Sequence, residues 1–308
     1  MRTLPISVII PHYNRPQLLQ EALDSVRSQT VPPAEIIVVD DHSTAEVRTK
    51  LHEFRHIAKI HENSINLGVT ESRNVGVELA GNDWVAFLDD DDLYHSRKLE
   101  LQSAYLSRHP NCEALGGSVL RVTPDGNSQI WGHREPRQLQ LRDALLHTAS
   151  SMCTMLIHKS AYHKAGRMDA TFRNLGDLEF GIRLLAVGCQ MEILPDPLVT
   201  YRHGGREELS LQWGNTCRAH FRLIHKHRKL YRQEFGPLGD LQEYARRARF
   251  YGLRKGRLLG RSMWAAGCLT QMVVGNADAS ETPSPAVPSH SSAGSGGPAL
   301  KYRARIGR

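Results

Sequence analysis

Apolar and β-branched residues in the N-terminal third stand in short unbroken runs. Ile6-Ser7-Val8-Ile9-Ile10, Ile36-Ile37-Val38-Val39 and Trp84-Val85-Ala86-Phe87-Leu88 are three of them. Such runs predict strands buried on both faces of a parallel sheet. Between the first two, Leu18, Leu19, Ala22, Leu23 and Val26 recur at helical spacing, so residues 16–29 predict a helix with one apolar face. Pro16 suits an early helix position, with Asn14 or Arg15 before it. The unit is strand, helix, strand, with a right-handed crossover. Residues 58–61 predict a further strand, and residues 69–80 a further helix entered through Asn66-Leu67-Gly68. Later, residues 116–122 and 151–157 each predict a strand, and residues 132–141 a loop.

Each of the three runs ends in a polar cluster. These are Pro11-His12-Tyr13-Asn14-Arg15, Asp40-Asp41-His42-Ser43 and Asp89-Asp90-Asp91-Asp92. In an open parallel sheet, ligands bind beyond the C-terminal strand ends. Four adjacent carboxylates repel one another unless a cation or a set of donors gathers them. At a strand end they suit a hard divalent ion whose remaining ligands come from a diphosphate; a solvated acidic loop is the other reading. No Gly-x-Gly-x-x-Gly follows the first strand and no P-loop occurs, so a diphosphate is not held in either of those ways.

Together these segments resemble the family 2 inverting glycosyltransferases. The resemblance rests on Val8-Ile9-Ile10-Pro11-His12-Tyr13-Asn14-Arg15, Val38-Val39-Asp40-Asp41-His42-Ser43, Asn66-Leu67-Gly68, Ser72-Arg73-Asn74 and Phe87-Leu88-Asp89-Asp90-Asp91-Asp92, in the family's order and spacing. It continues more weakly to about residue 210, through Leu175-Gly176-Asp177-Leu178-Glu179-Phe180 and Tyr201-Arg202-His203. It implies an α/β fold of the GT-A type: a Rossmann-like, mostly parallel sheet flanked by helices.

The resemblance also implies roles. Pro11, Tyr13 and Asn14 wall the donor nucleotide, with Tyr13 stacking on the base; packing of the strand end is the plainer role for Tyr13. Asp41 accepts the uracil imide N–H; a helix N-cap is its alternative. Arg73 lies near base and phosphates, and Asp90 near the ribose. Asp91 is the direct metal ligand, Asp89 orients the loop or binds through water, and Asp92 starts the next turn. His203 is a further ligand or phosphate contact, or a structural histidine. The ion is Mn2+ or Mg2+, since no soft ligand lies nearby.

An inverting transfer needs one base to deprotonate the acceptor hydroxyl. Relatives carry an acidic pair at a helix start, and here Gly176 replaces the glutamate of that pair. Residues two apart point roughly 200° apart around a helix, so Asp177 and Glu179 cannot both face one site. Asp177 shares a stripe with Phe180, Gly181 and Leu184, which looks inward; Glu179 shares one with Arg183. Asp177 is therefore the candidate base, with helix capping as its alternative.

Composition adds bounds. Five cysteines without a Cys-x-x-Cys pair favour a reducing compartment and argue against structural zinc. The first residues run straight into a strand, with no leader pattern. From Arg218 to Arg261, thirteen basic residues face three acidic ones, against a net charge of +7 for all 308 residues. Such a stretch is a solvated face, or meets an anionic membrane surface or an acidic acceptor. No nucleic-acid module is recognisable, and nucleic acid is not an expected partner. Residues 276–308 are rich in Ser, Pro, Gly and Ala at their start, basic at their end, and predict a disordered tail.

The expected organisation is a nucleotide-sugar-binding half (1–100), an acceptor-binding half (101–215), a basic helical extension (216–275) and the tail. The expected enzyme is cytoplasmic and peripheral at the inner face of the cell membrane. It moves a sugar from a UDP-sugar to a glycan or lipid-linked acceptor in building a cell-surface glycan. A non-catalytic nucleotide-sugar-binding module and a nucleotidyltransferase on a similar sheet are the alternatives. The second wants a Gly-rich phosphate loop, which is absent.

Overall fold

A computed structural model describes residues 5–146, 150–202 and 213–255. His203, the end of the basic stretch and the whole tail lie outside the described residues. The strands are β1 (Ile6–His12), β2 (Glu35–Asp40), β3 (Lys59–Glu62), β4 (Trp84–Phe87), β5 (Leu93–Tyr94), β6 (Ala114–Val122), β7 (Ser128–Trp131), β8 (Arg137–Gln138), β9 (Leu156–His158) and β10 (Met191–Arg202). The helices are α1 (Pro16–Arg27), α2 (Ala45–Leu51), α3 (Val69–Leu79), α4 (Lys98–Leu106), α5 (Leu141–Leu145), α6 (Lys159–Lys164), α7 (Gly176–Ala186), α8 (Trp213–Lys226), α9 (Arg228–Phe235) and α10 (Gly239–Lys255).

One sheet runs in the order β3-β2-β1-β4-β9-β6-β10-β5, with β7 paired to β6 and β8 to β10. The first four strands are parallel. Antiparallel pairs enter at β4–β9 and β9–β6, while β6 and β10 are again parallel. The chain thus reverses its direction of strand addition between β1 and β4, and the loops after these strands meet there. That is the topological switch point where α/β sheets bind ligands.

The unbroken apolar runs follow from burial on both faces. Ile6, Val8 and Ile10 of β1 pack with Leu19, Ala22, Leu23 and Val26 of α1, and with Leu99 and Leu106 of α4. On the other face Ile9, Ile37, Val39, Val85 and Phe87 pack with Val77 of α3, Tyr162 of α6 and Phe180 and Leu184 of α7. A Cβ on Gly76 would lie 2.3 Å from Ile9 Cγ2, so the glycine lets α3 close on β1. This tight seat brings the start of α3, with Arg73, up to the strand ends.

Two expectations change. Residues 151–157 do not form one strand. Met152–Thr154 is a 3-10 turn, and only Leu156–His158 pairs in the sheet. Hydroxyls drive this: Thr154 Oγ1 donates to Ser151 O at 2.8 Å and lies 2.6 Å from Ser150 Oγ. Within residues 132–141, a short strand, β8, pairs with β10.

The basic segment is not a free stripe. Leu223 and Ile224 of α8 and Tyr231 of α9 share a core with Leu178 and Ile182 of α7. Many of its charges are spent internally. Arg232 pairs with Asp240, Arg246 and Arg247 with Glu243, and Lys226 with Asp169 and Glu179. Arg218, Arg228 and Lys229 remain exposed. Among the described residues, no helix is long and apolar enough to cross a membrane.

Candidate functional site

The loops after β1, β2 and β3 knit together first. Asn14 takes a left-handed φ of 56°. Its backbone N–H donates to Ser43 Oγ at 2.9 Å, and its side chain accepts from Thr44 N at 2.9 Å. Asp40 is buried and accepts from Ser43 N at 3.1 Å and from the Ser43 hydroxyl. Asp41 is not an N-cap; Thr44 caps α2. The Asp41 carboxylate instead accepts from Asn63 Nδ2 (3.0 Å), Leu67 N (2.8 Å) and Gly68 N (2.7 Å). It therefore folds the 63–68 loop, and a base contact would use the lone-pair capacity that remains. Pro11 is buried, while Tyr13 is 46% exposed beside this loop system and is not spent on packing the strand end.

The four aspartates have four environments. Asp90 is buried; its Oδ2 lies 2.8 Å from His12 Nδ1 and 3.4 Å from Tyr13 N. Its Oδ1 and Asp91 Oδ2 are bridged by Arg15. Asp91 is the outermost, with its pKa raised by burial and by Asp89. Asp89 accepts from Arg73 Nη2 at 2.5 Å. Burial works against its charge, but Arg73 prevails and leaves its pKa lowered. Asp92, expected only to start a turn, is 2% exposed and accepts from Arg202 N at 3.3 Å. Burial, then the charges of Asp89 and Asp91, push its pKa up to about 8.

Arg73 is the hub. It is 5% exposed, donates to Asp89, and reaches Asp177 Oδ1 at 3.4 Å. Burial opposes its charge, and Asp89 and Asp177 more than restore it. Asp177 also accepts from Met152 N at 2.9 Å, so its side chain does not cap α7. The N-cap is Leu175, in the left-handed region at φ 63° and without a side-chain cap bond. A branched residue held there is strained backbone, and it stands next to the candidate base. Gly176 leaves room: a Cβ there meets nothing closer than Thr70 Oγ1 at 3.8 Å.

Glu179 meets Arg183 at 2.8 Å, as its helical spacing predicts, and it is also fully buried and sealed from solvent. Helices α8 and α9 cover it with Lys226 Nζ at 2.6 Å and His227 Nε2 at 3.2 Å. Burial would raise its pKa; His227, Arg183 and Lys226 hold it down at about 2. Asp177, with 36% of its side chain exposed, is the acid that opens to solvent.

Cys153 corrects the view that no soft ligand lies near the aspartates. The 3-10 turn brings its thiol, with Asp89 and Asp92, into a group whose ligand atoms all lie within 4.8 Å. Burial and then Asp89 raise its pKa well above the ordinary thiol value. Sequence reasoning also passed over His12, Arg15 and Arg202, whose Nε donates to Asp91 O at 2.5 Å. His12 and Arg15 stood inside a quoted motif; Cys153 carried no sequence signal. The residues fit a divalent cation: Asp89, Asp92 and Cys153 gather three ligand atoms, and Asp91 and Asp92, whose pKa burial and then neighbouring aspartates raise, gain most from a positive ion.

The glycosyl transferase family 2 model matches residues 7–166, and the chain belongs to that family. An uncharacterized glycosyltransferase of Haemophilus influenzae is 30% identical over 182 residues, covering 58% of this chain and 62% of that protein. The chain thus spans under two thirds of that relative's length. The putative teichuronic acid biosynthesis glycosyltransferase TuaG of Bacillus subtilis is 29% identical over 215 residues, 68% of this chain and 82% of that protein. Among solved structures, S. aureus TarS 1-349 in complex with UDP-GlcNAc superposes with a TM-score of 0.66 at 20% identity, covering 86% of this chain and 79% of that one. That likeness establishes the GT-A type fold.

Proposed function

We propose that this chain is an inverting glycosyltransferase that moves a sugar from a UDP-sugar to a hydroxyl of a cell-surface glycan or glycoconjugate. The observation that carries this is Arg73, which joins the aspartate loop to Asp177. It couples a donor site at the switch point to a carboxylate at the start of α7. Pro11, Tyr13, Asn14 and Asp41 hold the uridine, and Asp90 the ribose. Asp177 takes the proton of the acceptor hydroxyl. That oxygen then bonds to the anomeric carbon as the bond to the UDP oxygen breaks on the opposite face. A divalent cation, Mn2+ or Mg2+, held by Asp91 with Asp89, would neutralise the departing diphosphate as a Lewis acid. His203 is proposed as a further ligand from outside the described residues.

The relation to TuaG, named for teichuronic acid biosynthesis, supports a cell-surface polysaccharide as the product. Exposed Arg218, Arg228 and Lys229 support an acidic acceptor or a peripheral position at the inner face of the cell membrane. Co-sedimentation with anionic vesicles at low salt tests the membrane contact; protein left in the supernatant contradicts it. Gly176 favours one second reading, a non-catalytic nucleotide-sugar-binding module. A thermal-shift panel of nucleotide-sugars with and without manganese, followed by UDP release from the best binder, tests the assignment. A UDP-sugar should raise the melting temperature most, and only with metal. No shift with any UDP-sugar contradicts the reading, and binding without turnover favours the module.

A further inference from the structure

Two arginines, Arg73 and Arg15, pair through their guanidinium groups with carboxylates of the aspartate run, and they are held differently. Arg73 is buried and locked between Asp89 and Asp177. Arg15 has 45% of its side chain exposed, with Nη2 2.5 Å from Asp90 Oδ1 and Nη1 2.6 Å from Asp91 Oδ2. Its backbone is fixed. The Arg15 carbonyl accepts from Leu19 N at 3.0 Å at the start of α1, and Asn14 before it is tied to Ser43 and Thr44. A partly solvent-exposed guanidinium thus extends from a backbone that hydrogen bonds hold in place.

Asp90 does not depend on Arg15, because His12 and the Tyr13 N–H hold its other oxygen. Asp91 does. Its side chain is 40% exposed, and the carboxylate contact shown for it is the one to Arg15. Arg15 therefore neutralises the carboxylate assigned above to the cation.

We propose that Arg15 is an internal stand-in for that cation: it caps Asp90 and Asp91, yields Asp91 to a divalent ion, and then turns to the diphosphate of the nucleotide. This rests on the UDP-sugar and cation reading above. A guanidinium and a divalent ion repel, so they do not share Asp91 Oδ2. A half-exposed ion pair is weak enough to be displaced. The released guanidinium, on the same fixed backbone, is a fork-shaped donor suited to phosphate oxygens. Ion and nucleotide each favour the state in which Arg15 has left Asp91, so each strengthens the other's binding. Arg15 weakens uptake of the ion alone and strengthens uptake of the pair.

The test uses the full chain, with Arg15→Gln and Arg15→Lys. Manganese binding is read from the loss of its free-ion paramagnetic resonance signal, with and without UDP. UDP binding at saturating manganese is read by calorimetry. Without UDP, Arg15→Gln should bind manganese roughly threefold to fivefold more tightly than wild type. At saturating manganese it should bind UDP roughly tenfold more weakly. Arg15→Lys should fall between. Arg15→Gln that is folded by circular dichroism yet binds manganese no tighter overturns the latch, as does unchanged UDP affinity. The latch fails alone if wild type takes up both ligands and the variant matches it. Wild type that takes up neither removes the cofactor reading and the latch together.

Discussion

Asp89 and Asp177 share one buried guanidinium, that of Arg73, at 2.5 Å and 3.4 Å. One residue lies in the loop after β4 and the other at the start of α7, so the contact fixes the two halves of the site against each other. Lysine has one point charge where arginine has a fork. Arg73→Lys should therefore weaken UDP binding and lower turnover at least tenfold, because one carboxylate loses its partner. Calorimetry and UDP release read this, and a variant with wild-type values for both denies the hub its role.

Asp91→Asn removes one charge from the run and keeps its shape. It should abolish manganese-dependent gain in UDP affinity with little change in melting temperature. Relief of repulsion among Asp89, Asp90 and Asp91 works toward a more stable metal-free protein. Unchanged metal-dependent affinity would show that Asp91 is not a ligand.

Glu179 is a fastener for α8 and α9. Its pKa lies at about 2, below its ordinary 4.5. A depressed carboxylate stabilises the fold above the unfolded value, and that stability drains away as pH falls from about 4.5 toward 2. Glu179→Gln should cost about 2 kcal/mol at neutral pH, because it removes the buried anion that Arg183, Lys226 and His227 share. It should also flatten the acid limb of a melting-temperature profile while UDP binding persists. An acid limb as steep as wild type would contradict the assignment.

Gly76→Ala should cost about 1–3 kcal/mol, since the new methyl meets Ile9 and pushes α3 off β1. Because the two sites touch, Gly76→Ala with Ile9→Ala should cost less than the sum of the two single changes in urea unfolding. Strict additivity would mean that α3 moves freely.

The parallel half of the fold was legible because strands buried on both faces read as unbroken apolar runs, and each ended in a polar cluster. Five motifs in register gave the family. Long-range contacts were not legible. Nothing in the spacing of Arg73 and Asp177 says they touch, and nothing near Cys153 points to the aspartates. The pairing of Glu179 with Arg183 follows from helical spacing, but its full burial was not legible, because the helix alone carries no sign of the two helices that cover it. The stretch around Thr154 misled for a local reason: its hydroxyls bond backward and make a turn where apolar neighbours had implied a strand.

Asp177 opens to solvent at the site while Glu179 is sealed, and that contrast makes the base assignment testable in one comparison. UDP release from a bound UDP-sugar, with manganese and a competent acceptor, should fall roughly 10²- to 10⁴-fold in Asp177→Asn. UDP affinity should stay near wild type, and Glu179→Gln should keep most of its turnover. A fully active Asp177→Asn, or an inactive Glu179→Gln that still binds UDP, would contradict the account.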